Sequence, residues 1–228
     1  MVASVPLTSD RSVMTPKPPA TLYVTLWKLP SRQVLHRVHQ DLYKADQFNP
    51  SLKGNARFSP IRDAGGNSIP TLYAAVTFEA AAMESVFRDV AHVPGFKHYD
   101  KRKLEGHLHS RVKVKHALKL ADLGSVALRK MGVQRKQLID TEKDQYPATR
   151  RWAEAIHMQH PDIQGLSWIS RQDDSARAVV LFGDRIPKGA LQQVGDSRSL
   201  LKDEQVYAEL LNLADRAGVD LVPGKETG

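Results

Sequence analysis

The chain has 228 residues, 41% of them hydrophobic and 25% charged, the balance of an ordinary globular protein with enough length for a sizeable core. It has no cysteine, which excludes disulfides, thiolate nucleophiles and cysteine-bound zinc and fits a reducing compartment. The formal net charge of +8 is local: between Lys97 and Lys136 there are 12 Lys or Arg against 3 Asp or Glu, so this segment could meet an anionic partner or form a solvated basic face.

Residues 1–20 hold four prolines and no apolar period, and read as a flexible leader. No apolar run approaches the ~20 residues of a membrane-spanning helix. The N-terminus also lacks the basic start and apolar block of a secretory signal, so the expected location is the cytoplasm, with no membrane partner. Thr21 to Leu29 has the β-branched and aromatic content of a first strand. Ser31 is placed to cap a helix with Val34, Leu35, Val38 and Leu42 on one face, ended by Asn49-Pro50.

The stretch Arg57 to Val90 concentrates residues suited to chemistry. An arginine stands beside an aromatic (Arg57-Phe58), and the glycine pair Gly65-Gly66 marks a turn. A short apolar strand, Leu72 to Val76, carries Tyr73. Thr77 is an N-cap for a helix with Glu79 near its positive end and Met83, Val86, Phe87 and Val90 on its packing face. Glu84 falls at the edge of that face above alanines. A carboxylate there is either paired, with Arg88 four residues on as the local partner, or kept for chemistry.

From Leu108 to Leu120 the residues alternate. Leu108, Val112, Val114, Leu118 and Leu120 form an inner face, with His107, His109, Arg111, Lys113, Lys115 and Lys119 opposite. Two histidines two apart with no third ligand are surface residues more often than a metal site, so no metal is expected. Leu123 to Leu138 reads as helical pieces broken at Gly132, and Pro147 opens a helix that buries Trp152, Ala155 and Ile156. Gly165–Arg171 and Ala178–Phe182 are two strands joined by a polar turn, and Ser199–Ala217 is an amphipathic helix on Val206, Leu210, Leu211 and Leu213.

Four landmarks in order, NARFSP, PTLYAAVTFEAAAMESVF, YPATRRWAEAI and GLSWISR with AVVLFGDR, resemble the RES domain over Leu22 to Arg185. That family is the toxin half of bacterial toxin–antitoxin pairs whose antitoxin carries an Xre-type helix-turn-helix. The resemblance implies a compact α+β fold related to ADP-ribosyltransferase toxins, with a mixed or antiparallel sheet and surrounding helices. The expected domains are a flexible leader at 1–20, a RES domain at 21–186 and a helical extension at 187–228 packed on it, both ends being additions that a minimal RES domain lacks. It also implies an enzyme that consumes NAD as substrate, not cofactor, with water or inorganic phosphate as co-substrate, or one that transfers ADP-ribose to a protein. The expected partners are the antitoxin, DNA only through it, and a second copy or hetero-oligomer.

The family's arginine, glutamate and serine fall on Arg57, Glu84 and Ser170, and its usual active-site tyrosine on Tyr73. Trp168 stands where many relatives have tyrosine. Ser167, on the opposite strand face, competes with Ser170. Arg57 suits a pyrophosphate or phosphate, Tyr73 a ring, and Glu84 the positive charge that develops on the ribose. Ser170 suits the nicotinamide amide or the ribose. The expectation is that Arg57 and Glu84 meet across one pocket sized for a dinucleotide. The competing reading is a nucleic-acid-binding module using the basic 97–136 segment, although aromatics for base stacking are not interleaved there.

Overall fold

The computed structural model describes residues 14–91, 93–170, 174 and 176–224. Residues 1–13 of the expected leader, Arg171 and most of the polar turn after it lie outside the described residues. In chain order the elements are β1 (Leu26–Leu29), β2 (Val34–Gln40), β3 (Ile61–Arg62), β4 (Ser68–Ile69), β5 (Thr71–Ala75), α1 (Phe78–Met83), β6 (Lys97–Asp100), β7 (His107–Val114) and β8 (Leu118–Asp122). They continue with α2 (Ser125–Met131), α3 (Arg135–Leu138), α4 (Tyr146–Gln159), β9 (Gly165–Ile169), β10 (Arg177–Phe182), β11 (Leu191–Gln193), β12 (Arg198–Ser199), α5 (Glu204–Arg216) and β13 (Val219–Val222).

Nine strands form one sheet in the order β1-β8-β9-β10-β5-β2-β7-β11, with β12 also on β7. Among the described residues only β8–β9 is parallel within it, so the sheet is mixed and mostly antiparallel, an α+β arrangement. The alternation along β5 and β10 divides their side chains between two layers. Ala75, Ala178, Val180 and Phe182 pack with Trp152 and Ile156 of α4. Leu72, Ala74, Val179 and Leu181 pack with Ala45 and Phe48 on the opposite side. A third apolar cluster joins Phe78, Met83 and Phe87 to Val206, Leu210 and Leu213 of α5. Gly165 is required where β9 meets β10, because a Cβ there would lie 2.2 Å from the Val180 carbonyl oxygen.

The structure corrects several expectations. The segment expected to be a helix after Ser31 is the strand β2, paired with β7 and β5. Its period of two was hidden because two of its buried positions are polar, Arg37 and His39. The first strand is only Leu26–Leu29. The leader is not loose where it is described, since Thr15 is buried against the domain. On β7, His109 is buried rather than part of an outer basic face, and Leu211 of α5 is exposed. The 187–228 extension is not only helical: β11 and β12 pair with β7 in the main sheet, and β13 runs parallel to β6.

The basic 97–136 segment covers β6, β7, β8, α2 and the start of α3. Within it β7 and β8 do not pair with each other, although the three-residue link between them keeps Val114 and Leu118 within about 14 Å. Several of its charges are engaged locally, Arg102 with Asp100, Lys119 with Asp162 and Arg135 with Asp140. Among the described residues no helix is long and apolar enough to cross a membrane, and no group of His, Cys, Asp or Glu is arranged to hold a metal ion.

Candidate active site

Arg57, Tyr73, Glu84 and Ser170 come together although they are spread over more than a hundred residues of chain. Thr77 caps α1, its hydroxyl accepting from the Ala80 N–H at 3.2 Å, and α1 ends at Glu84 as its C-cap. Glu84 is therefore presented at the end of a short buried helix of alanines, not in its first turns. Arg57 precedes Phe58, which is fully buried, and so is drawn inward to 4% exposure. Ser170 follows the last residue of β9, and its N–H donates to the Ala176 carbonyl at 3.0 Å.

Glu84 is the hub. Its Oε1 accepts from the Ser170 hydroxyl at 2.7 Å and from Trp168 Nε1 at 3.3 Å, and its Oε2 faces Arg57 Nη1 at 3.4 Å. Both carboxylate oxygens are thus oriented by donors from other elements. The local partner weighed in the sequence, Arg88, meets Asp89 instead. Trp168, where relatives have tyrosine, supplies an indole N–H to the same carboxylate. Arg57 lies over the Tyr146 ring, 5.8 Å from its centroid, and its backbone carbonyl accepts from the Thr149 hydroxyl. Arg57 Nε is buried with no partner among the described residues.

Tyr73 closes the group from β5. Its hydroxyl oxygen accepts from the Phe58 N–H at 2.9 Å, and its ring meets Trp168 edge-on at 6.2 Å. Burial pushes the phenol above its ordinary range, so it stays protonated with its own O–H left to donate. Ser167 is elsewhere: it accepts from Arg177 Nη1 at 3.1 Å, and the same guanidinium holds Asp122 at 3.0 Å and covers Trp27. The geometry separates the two serines, with Ser170 at Glu84 and Ser167 in a structural network.

Arg57 and Glu84 do not face each other across a pocket, as expected, but touch. Beside them opens a cleft of about 320 Å³, at the small end of the roughly 300–1,000 Å³ of ligand pockets. Tyr73 lines it, as do Ala56 and Ser85, the chain neighbours of Arg57 and Glu84. Arg37, His39, Lys53, Arg88 and His107 add cationic or titratable groups to its wall. Sequence reasoning missed Arg37 and His39, whose buried polar positions on an apolar strand were the available signal. Arg37 Nη1 donates to the carbonyls of Lys44, Ala45 and Gln47, and burial lowers its pKa to about 10, which leaves it charged at neutral pH. His39 Nδ1 must donate to the Gln40 carbonyl, so its Nε2 accepts from the Ser110 hydroxyl at 2.8 Å. Burial favours its neutral form.

The fold and this constellation define an α+β domain whose candidate site is a buried arginine–glutamate–serine cluster beside a cationic cleft. The RES domain model matches residues 34–203, well over half of the chain. The chain belongs to the RES domain family. A search of curated proteins returned no match.

Proposed function

We propose that the protein cleaves the bond between nicotinamide and ribose in NAD and acts as the toxin of a toxin–antitoxin pair. The observation that carries the reading is the fixed Glu84 carboxylate, held by Ser170, Trp168 and Arg57 beside a cleft whose wall carries Arg37, Lys53 and Arg88. Membership of the RES domain family is consistent with an enzyme acting on NAD.

In this reading the cationic wall takes the pyrophosphate. The C1′–N bond breaks with its electron pair leaving to the pyridinium ring, which becomes neutral nicotinamide and needs no strong acid. Positive charge develops on the ribose, as in glycoside cleavage, and Glu84 stabilises it. An oxygen of water or phosphate then bonds to C1′, and water loses a proton in doing so. Tyr73 offers a ring and an O–H to the substrate. Phosphate, if it is the acceptor, would sit against Arg57.

The first test is nicotinamide release by purified protein, and no release above buffer would sink the reading. Products formed with and without inorganic phosphate separate the acceptors: ADP-ribose-1″-phosphate means phosphorolysis, free ADP-ribose hydrolysis, and label on protein means transfer. Expression should arrest growth in cells, and co-expression of a cognate Xre-type antitoxin should relieve it. The nucleic-acid reading is weaker because several cations of the basic segment already have acidic partners, Arg102 with Asp100, Lys119 with Asp162 and Arg135 with Asp140.

A further inference from the structure

Residues 14–22 lie outside the matched span, yet they are bonded along the whole of α4. The Thr15 N–H donates to Gln145 Oε1 at 3.1 Å and its hydroxyl to the Gln137 carbonyl at 2.6 Å. The Pro16 carbonyl accepts from Trp152 Nε1 at 2.8 Å. Leu22 donates its N–H to Gln159 Oε1 at 2.8 Å, and its carbonyl accepts from His160 Nε2 at 3.1 Å. The segment is a strap running from the head of α4 to its end.

What the strap ties together bears on the site. Gln137 belongs to α3, the helix of Arg135, whose Nη1 and Nη2 donate to the carbonyls of Ile169 and Ser170 at 3.2 and 3.3 Å. Asp140 holds Arg135 Nε at 3.2 Å in turn. Gln145 immediately precedes Tyr146, which underlies the Arg57 guanidinium, and Thr149 one turn later holds the Arg57 carbonyl. Thr15 is therefore bonded to two supports, one leading to Ser170 and the other to Arg57. Those two side chains engage opposite oxygens of Glu84.

We infer that Thr15 is a positioning residue and the 14–22 strap a brace that sets the spacing between α3 and the head of α4, and through it the orientation of the Glu84 carboxylate. Reaction rates respond steeply to such spacing, because a displacement of about 1 Å can cost on the order of 100-fold. The inference rests on the NAD-cleaving reading only for its kinetic readout.

The full chain is compared with Thr15→Val, which keeps the shape and removes the hydroxyl, and Thr15→Ser, which restores it. Thr15→Val is expected to lower kcat for nicotinamide release roughly tenfold with KM changed less than about twofold. Thr15→Ser is expected to recover kcat. Amide exchange should quicken at Ser170 and Phe58, two of the amides bonded at the site, and stay unchanged in the β6–β13 pair. Unaltered kcat and exchange, exchange that rises uniformly over the molecule, or failure of Thr15→Ser to recover would overturn the inference. Wild-type protein that releases no nicotinamide would instead overturn the proposed function, and the exchange measurements alone would then decide the strap.

Discussion

The contact between Arg57 and Glu84 places two charged side chains, 4% and 10% exposed, side by side. Removing one charge of such a pair strands the other and costs on the order of 3–5 kcal/mol, whereas removing both together can be close to neutral. Glu84→Gln should therefore destabilise the fold in urea denaturation and also lower kcat by roughly 100- to 1,000-fold, as lost electrostatic stabilisers do. The double variant Arg57→Met/Glu84→Gln should recover much of the stability and none of the activity. Recovery of both would mean that the pair matters only for folding. Ser170→Ala removes a hydrogen bond to a carboxylate, of order 1.5–3 kcal/mol, and should lower kcat by about ten- to 100-fold. Ser167→Ala, which touches only the Arg177 network, should lower the denaturation midpoint and leave kcat alone. The reverse assignment of these two effects would make Ser167 the working serine.

Among the elements, those with apolar periods were legible and those with buried polar groups were not. Thr77 as an N-cap, Gly132 as a break and Pro147 as a helix start appear in the structure, Gly132 with φ 73°. Val34, Leu35 and Val38 of β2, with Leu42 just beyond it, fit a helical face by spacing, while the strand buries Leu35, Arg37 and His39 on alternate positions. Two of those three are polar, so the pattern that marks a strand was masked by the residues that line the cleft. The contacts of the strap were illegible for another reason, since they run largely through backbone groups and uncharged side chains that leave no period. The site residues followed from family landmarks, but only the fold shows that Glu84 meets Arg57 rather than Arg88.

The pairing of β2 with β7 also stacks His36 on His109, which share a hydrogen bond at 3.0 Å beneath Phe78 of α1. Burial lowers both pKa values, that of His109 to about 4; the His36 imidazole adds to the effect at His109, and Arg111 on β7 adds to it at each. For His109, Arg198 of β12 and His39 of β2 act in the same sense, while Glu79 of α1 and Glu209 of α5 oppose it at His36. An unfolded histidine takes its proton near pH 6.5. The stability that depends on the neutral pair is thus complete above about 6.5 and falls away as the pH drops toward 4. His109→Leu should flatten that acid arm in denaturation curves, and an unchanged slope would place the titration elsewhere. Gly165→Ala, which drives a Cβ against the Val180 carbonyl, should cost about 1–3 kcal/mol by overpacking.

Over the whole molecule the net charge of +8 is partly offset where it is densest, since Arg102, Lys119 and Arg135 are held in ion pairs. Binding to duplex DNA or RNA should accordingly be weak, with a shallow dependence of affinity on salt. A steep slope, signalling many phosphates neutralised at once, would revive a nucleic-acid role. The order of the sheet has another outcome. β5, which carries Tyr73, is flanked by β2 on one side and by β10 on the other, and β10 ends at Phe182. While the ribosome is still making the first two thirds of the protein, the inner neighbour of that strand does not exist and Ser170 has not been added. A nascent polypeptide of that length therefore lacks the serine that holds Glu84, and the candidate cluster is complete only once β9 and β10 have been made and have joined the sheet.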